Sequence, residues 1–274
     1  MHKHSFLRIF SVLLATLIIL IPLPCSAASI NESFSWYCMR TKDHKRPLPE
    51  ASMRWISDPI YQGYYIDPTV TDDPNEANKV LYLTFDAGYE NGNINKILNV
   101  LEEKDVRASF FILSHLLKKE TALVKRMYAQ GHTVCNHTSH HPNMSSIKDR
   151  TQFESELRDM EMLCEQMTGK PIAKLYRPPE GRFNRQNLEW ATQMGYRTIF
   201  WSFAYADWDN NHQPDPAASQ KKILDNIHNG AILLLHPTSA TNAAILGNVI
   251  DECRAMGYRF ATLEELPTHP KELP

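Results

Sequence analysis

The chain has 274 residues, with 29 Lys and Arg against 31 Asp and Glu, a formal net charge of −2. That balance offers no basic surface and gives nucleic acid no place among the partners. Its cysteines include no CxxC pair, so a zinc ribbon is excluded as well.

The first 27 residues form a unit of their own. Lys3 and Arg8 open it, Ile9 to Ile21 is a thirteen-residue apolar run, and Pro22, Pro24 and the small residues Cys25, Ser26 and Ala27 end it. That order predicts a secretory signal peptide over residues 1–27, cleaved after Ala27, and the run is short for a membrane span. The mature chain is expected outside the cytoplasmic membrane, with no stable membrane span. Removing Lys3 and Arg8 leaves 27 basic residues against 31 acidic ones, a net charge near −4. Cys38, Cys135, Cys164 and Cys253 remain, scattered. An oxidising compartment would let some of them pair, but a domain of this size does not need staples.

Residues 28–79 are rich in Pro, Tyr and charge and carry Phe34, Trp36, Tyr37, Trp55, Tyr61, Tyr64 and Tyr65. Leaving so many aromatics in water is costly, so an irregular N-terminal arm packed on the following domain is expected. From Val80 onward, short apolar runs alternate with helical periodicity, the signature of β-α units around a parallel sheet. Val80–Phe85 predicts a strand, and Ile94, Ile97, Leu98 and Leu101 mark one face of the helix after it. Ala108–Leu113 predicts the next strand, followed by a helix with Leu123, Val124 and Met127 that closes at Gly131. After a short strand at Thr133–Asn136, a long helix carries Phe153, Leu157, Met160, Cys164 and Met167 and ends at Gly169. Strands are then predicted at Lys174–Tyr176, Arg197–Trp201 and Ala231–Leu235, a helix at Ala243–Met256, and a last strand at Arg259–Leu263. The fold class is α/β, and the count of units suggests a compact (β/α) barrel, complete or incomplete.

Five polar stretches fall in one topological place. Asp86 follows the first strand of this series, NHTSHHP (136–142) follows the third, and YRPPEG (176–181), WSFAYADW (201–208) and LLLHP (233–237) follow later ones. In a parallel barrel those strand ends converge on one rim, where such enzymes place their sites. His137 and His141 are four apart, and on a helical turn both imidazoles would face one metal ion, with His140 competing for the role. An HExxH metalloprotease is excluded, because Thr138 stands where the Glu is needed. His236 ends a buried strand, a position suited to a general acid. Arg177 precedes Pro178 and Pro179, whose fixed φ stiffens the backbone for clamping a carboxylate. Asp207 and Trp208 offer a second carboxylate near His236 and an aromatic wall for a sugar ring; taken alone, Asp207 reads as a loop residue.

In order, TFDAG, HTSHH, RPPEG, ADW and LLLH resemble the five motifs of the NodB-like polysaccharide deacetylases, carbohydrate esterase family four. The resemblance spans about Val80–Leu266. The form TFDxGYENG, after an aromatic-rich arm, looks closest to the subgroup that de-N-acetylates muramic acid towards muramic δ-lactam in spore cortex. It implies a distorted (β/α) barrel, a polysaccharide deacetylase domain over 80–274, and metal-assisted hydrolysis of N-acetyl groups on peptidoglycan glycan strands. N-acetylglucosamine polymers are the alternative substrate, and a wall-glycan-binding protein with a decayed metal site is the alternative outside enzymes. Action after an amidase that strips the stem peptide fits the same setting.

Matched by position, the family pattern implies Asp86 as general base, His137 and His141 as metal ligands, and His236 as general acid. It implies that Arg177 orients Asp86, that Asp207 tunes His236, and that Leu234 lines a pocket for the acetyl methyl. The backbone N–H of Tyr89 or a neighbouring residue is expected to help hold the oxyanion, with Trp208 and Pro178 beside the substrate. One position departs: the family pattern is Phe-Asp-Asp-Gly, and Ala87 replaces the second Asp, a metal ligand. The muramic subgroup also lacks that Asp and tends to carry Asn there. With two imidazoles and no carboxylate, a divalent cation, zinc or cobalt by ligand type, is expected to bind weakly; a mechanism that leans little on metal is the alternative.

Overall fold

The structure is a computed structural model that describes residues 30–73 and 77–267. The predicted signal peptide lies outside the described residues. In chain order the elements begin with β1 (Phe34–Ser35), a 3₁₀ segment at Ala51–Ser57 and β2 (Gly63–Tyr64). Then come β3 (Val80–Ala87), α1 (Ile94–Glu103), β4 (Ser109–Ile112), α2 (Ser114–Lys119), α3 (Thr121–Ala129) and β5 (Thr133–Asn136). They continue with α4 (Arg150–Thr168), β6 (Ala173–Tyr176), β7 (Arg182–Phe183), α5 (Arg185–Gln193), β8 (Arg197–Ile199) and β9 (Phe203–Ala204). The last are α6 (Pro216–Asn226), β10 (Ala231–Leu235), α7 (Ala240–Ala255) and β11 (Arg259–Ala261).

Alternation along β3 sorts the core, because successive side chains of a strand face opposite sides of the sheet. Leu81, Leu83, Phe85 and Ala87 join the apolar layer shared with the helices, against Ile94, Ile97 and Leu101 of α1. Val80 and Tyr82 turn the other way and meet Phe111, Cys135, Leu175, Ile199 and Ile232 inside the curl of the sheet. The same rule splits β10, with Leu233 and Leu235 outward and Ile232 inward. Hydrophobic residues therefore fill the interior at its N-terminal end, and the inward positions nearest the C-terminal rim, Thr84 and Asp86, are polar.

The main sheet runs β2-β8-β6-β5-β4-β3-β10-β9, with β11 also paired to β3. Every adjacent pair in it is parallel. The path stops at β2 and β9 instead of closing, so the sheet is a curled half-barrel. Eight residues of β3 share one edge between two partners, β11 along Val80–Tyr82 and β4 along Thr84–Ala87. Compared with the sequence expectation, β3 runs two residues further, carrying Asp86 and Ala87 within the strand. The stretch after Trp201, expected as loop, holds β9, and α6 follows with Asp215 capping its N-terminus (side chain to Ala218 N–H, 2.8 Å) and Pro216 at the first turn.

Residues 34–36 are held by pairing and stacking. Strand β1 pairs antiparallel with β7, Phe34 opposite Phe183 and Ser35 opposite Arg182. Trp36 stacks on Phe200 at 4.6 Å and donates its indole N–H to the Trp201 carbonyl at 2.8 Å. Gly63–Tyr64, inside the arm, is hydrogen-bonded into the main sheet beside β8, so the arm also extends the sheet. Cys38, Cys135, Cys164 and Cys253 are free and buried. No helix of the described residues is long and apolar enough to cross a membrane.

Trp36 is 4% exposed, so Trp36→Ala removes a buried indole and its hydrogen bond. Chemical denaturation of the chain from Ala28 is expected to show a loss of about 3–5 kcal/mol in unfolding free energy.

Candidate active site

Arg177 follows directly after β6 and is completely buried. Nε donates to the Ile199 carbonyl at 3.1 Å, Nη2 to Thr84 Oγ1 at 2.9 Å and to the Phe200 carbonyl at 3.2 Å. Nη1 donates to Asp86 Oδ1 at 2.7 Å, and the guanidinium lies over the Phe111 ring at 4.1 Å. A charge with no access to water is tolerable only when it is hydrogen-bonded, and here each of its three nitrogens has an acceptor. Burial by itself would raise the Asp86 pKa; the charge of Arg177, with His137 and His236, outweighs it and holds the carboxyl below its usual range. Asp86 is thus a carboxylate presented at the end of β3, oriented from below by Arg177.

Asp86 Oδ2 lies 3.6 Å from His137 Nε2. The other ring nitrogen, Nδ1, donates to the Arg177 carbonyl at 2.9 Å, which fixes the tautomer and leaves the Nε2 lone pair facing the site. Burial, helped by His141 and Arg177, lowers the His137 pKa to about 4 despite the neighbouring Asp86. The imidazole is therefore neutral at neutral pH, and its contact with Asp86 is not an ion pair. His141 joins it, ring centroids 5.1 Å apart and nearly perpendicular. The helical turn expected for this pair is absent: residues 137–141 are loop, and left-handed Thr138 (φ 75°) and His141 (φ 58°) bend the chain so that the rings meet. His140 does not compete, because its exposed ring bonds Glu156 at 2.9 Å.

On the facing side, Asp207 is fully buried and accepts three bonds. They come from His236 Nδ1 at 2.6 Å, from the His236 backbone N–H at 2.9 Å and from Asn242 Nδ2 at 2.6 Å. Tyr205 donates its hydroxyl to Asn242 Oδ1, which fixes the amide. Burial works to lower the His236 pKa, but the hydrogen bond and charge of Asp207, with Asp86, prevail and hold it above the ordinary imidazole value. With Nδ1 committed to Asp207, Nε2 is the nitrogen left for the cavity.

These groups line a cavity of about 750 Å³ at the C-terminal rim. Of the residues singled out from sequence, Asp86, Tyr89, His137, His141, Trp208, Leu234 and His236 form its wall, and Arg177 and Asp207 lie behind it. Leu234, within β10, and His236, the residue just after that strand, are two apart and both line the cavity. Trp208 is exposed and meets His236 edge-to-face at 5.9 Å. Pro178 is buried off the wall; the turn it begins instead contributes Glu180, Gly181 and Arg182. Sequence reasoning missed Thr84, which strand alternation with Asp86 could have found, and Asn242, which had no signal beyond a polar residue on a buried helix face. The YENG tail of the first motif also acquires roles. Glu90 caps α1 by accepting from Gly92 and Ile94 N–H (both 2.9 Å), while Asn91 and Asn93 tie the loop to the Thr238 carbonyl at 2.8 and 2.9 Å.

His137, with its tautomer fixed and its ring kept neutral, and His141 beside it fit a cation as two imidazole donors. A third protein ligand is missing: Ala87 is fully buried and off the cavity wall, and no group of three His, Cys, Asp or Glu suited to metal occurs among the described residues.

A parallel half-barrel whose rim sets a carboxylate–arginine pair against a carboxylate–histidine pair, beside two imidazoles, defines a hydrolytic class. The chain belongs to the polysaccharide deacetylases, family 4 of the carbohydrate esterases, hydrolases of amide bonds. The polysaccharide deacetylase family profile matches residues 73–199. Among named relatives, it is 34% identical to the peptidoglycan-N-acetylmuramic acid deacetylase PdaA of Bacillus subtilis over 236 residues, 86% of each chain. The solved structure of PdaA, described as a family 4 carbohydrate esterase, matches with a TM-score of 0.79 over 86% of this chain and 97% of that one. An uncharacterised 30.6 kDa protein of Geobacillus stearothermophilus is 38% identical over 88% of each chain. A peptidoglycan-N-acetylglucosamine deacetylase of Bacillus cereus is 29% identical over 73% of this chain and 95% of its own.

Replacing Asp207 by Asn removes the charge that raises the His236 pKa, so NMR titration of the imidazole should show it protonating at lower pH than in the parent chain. The sign for stability follows: a raised folded-state pKa stabilises fully below the unfolded value, near 6.5, and the contribution fades as pH rises through the folded value.

Proposed function

We propose that the protein removes the acetyl group from N-acetylmuramic acid residues of peptidoglycan glycan strands, outside the cytoplasmic membrane, towards muramic δ-lactam in spore cortex. The observation that carries the reading is the opposed pair of dyads on one cavity, a carboxylate held deprotonated and an imidazole held towards protonation. The similarity to PdaA over 86% of the chain supports the choice of sugar. Two titratable groups pushed in opposite directions make an acid and a base that coexist at one pH.

In the proposed reaction, Asp86 accepts the proton of a water molecule as its oxygen attacks the acetamide carbonyl carbon. Arg177 keeps the carboxylate aimed, and ionised until that proton arrives. The backbone N–H of Tyr89 would donate to the carbonyl oxygen as charge collects on it. The C–N bond then breaks, and His236 gives its Nε2 proton to the departing amine while Asp207 holds the ring. Leu234 would pack on the acetyl methyl, and Trp208 would face the sugar. A divalent cation held by His137 and His141, zinc or cobalt by donor type, would polarise the carbonyl and acidify water. Deacetylases of this family are generally metal-dependent. Prior removal of the stem peptide by an amidase would clear the cavity mouth.

The test is acetate release by the chain from Ala28 on peptide-stripped peptidoglycan, with added divalent metal and with chelator. Release from muramic acid residues is expected, and Asp86→Asn and His236→Gln should each lower kcat/KM by about 10²–10⁴-fold. Full activity in either variant would remove that residue from its role. Activity indifferent to chelator would keep the reaction and drop the cation from it. Release from N-acetylglucosamine polymers alone would move the assignment to the substrate named for the Bacillus cereus relative, and no release from either would leave a glycan-binding protein.

A further inference from the structure

We infer that Arg182 is the specificity residue of this cavity, pairing with the lactyl carboxylate that distinguishes muramic acid from glucosamine. The inference rests on the proposed muramic acid reaction. The two sugars differ only at O3, where muramic acid bears a lactyl ether ending in a carboxylate. O3 is adjacent to the C2 acetamide, so when that acetamide faces Asp86 and His236 the carboxylate must lie against the cavity wall. The floor already holds the ionised Asp86, and a second anion beside it needs a cation.

Arg182 is the one Lys or Arg on that wall among the described residues. Arg177 is unavailable, since it lies off the wall with every nitrogen committed to the protein. Arg182 is differently disposed. Its Nε meets Glu180 Oε2 at 3.0 Å, and among the described residues its two terminal nitrogens have no protein partner. A free Nη1–Nη2 edge is the end-on fork that takes a carboxylate through two parallel bonds. The side chain is 48% exposed, so it is accessible to an entering glycan.

The turn that carries it is held against strain. Glu180 (φ 54°) and Gly181 (φ 64°) are consecutive left-handed residues, a conformation that is costly for a side chain such as that of Glu180. A Cβ on Gly181 would lie 2.8 Å from the Trp201 ring. The Trp36 N–H donates to the Gly181 carbonyl at 2.8 Å, and Ser35 pairs with Arg182 across β1–β7. The aromatic arm therefore fixes the turn from outside, and Glu180 and Arg182 are presented side by side on the cavity wall. A strained, over-determined turn at a cavity is where a ligand-reading side chain is to be expected.

The experiment compares kcat/KM on two oligosaccharides of equal length and no stem peptide, one containing N-acetylmuramic acid and one made only of N-acetylglucosamine. For Arg182→Gln, the muramic-over-glucosamine ratio should fall about threefold to fivefold, carried by KM, as for one half-exposed charged pair. Arg182→Lys should restore part of the ratio, because it keeps the charge and loses the fork. Raised salt should shrink the difference between parent and Arg182→Gln. An unchanged ratio in Arg182→Gln, or an equal loss on both substrates, would overturn the inference and leave the muramic reaction standing. A parent enzyme that turns over only the glucosamine oligosaccharide would overturn the muramic reading, and the inference with it.

Discussion

A single buried ion pair ties the barrel together across its interior. Asp86 sits on β3 and Arg177 follows β6, and β4 and β5 lie between them in the sheet. In a flat sheet three strand steps would separate the two by about 14 Å, further than an arginine reaches. Here the atoms are 2.7 Å apart, and the same guanidinium also bonds carbonyls at the end of β8, one strand further on. The contact exists only if the sheet is curled, and a buried guanidinium with five donors is satisfied only if the contact exists. Curvature and site are one constraint. Removing either partner leaves a charge without water or counterion, which costs about 3–5 kcal/mol, so two groups that meet at the cavity also hold the shape.

From that tie the rest of the site takes its polarity. Arg177 pulls the Asp86 carboxyl down, and its backbone carbonyl accepts from His137 Nδ1, so one residue sets the ionisation of that carboxylate and the tautomer of the neighbouring imidazole. Asp207 does the matching work on the other wall, raising His236. The dyads are built from different strand ends, β3 with β6 and the loop after β9 with β10. The parallel arrangement is what brings four such ends to one rim.

Most of this was legible because it follows period and position. The strand at Ala231–Leu235 is where an unbroken apolar run ends on His236, and the first six residues of β3, Val80–Phe85, are an apolar-rich run followed by Asp86; both follow from side chains buried on two faces. What was not legible depended on tertiary contact. The meeting of His137 and His141 was expected from helical spacing and arises instead from two left-handed loop residues, which no periodicity reveals. Pro178 drew notice for its stiff backbone, yet the wall is formed by the residues after it, because the arm's Trp36 dictates where Gly181 lies. Asn242 supports Asp207 from a helix six residues beyond His236, a relation that only the folded chain expresses.

Ala87 can be understood by counting charge around the cavity. Asp86 is balanced by Arg177, Asp207 by a His236 held towards protonation, and His137 is neutral. The site is therefore electrostatically settled with these side chains alone. A second carboxylate at 87 would add a negative charge with no protein partner, which is the condition under which a divalent cation becomes the natural counterion. With a methyl group there, packed into the sheet–helix core, that demand is absent and the two imidazoles offer lone pairs without charge. A cation at His137 and His141 would find its nearest negative charge in Asp86, already shared with Arg177. Its hold on the site would depend on the substrate carbonyl and water as much as on the protein. The two dyads, by contrast, are complete with the side chains of this chain alone.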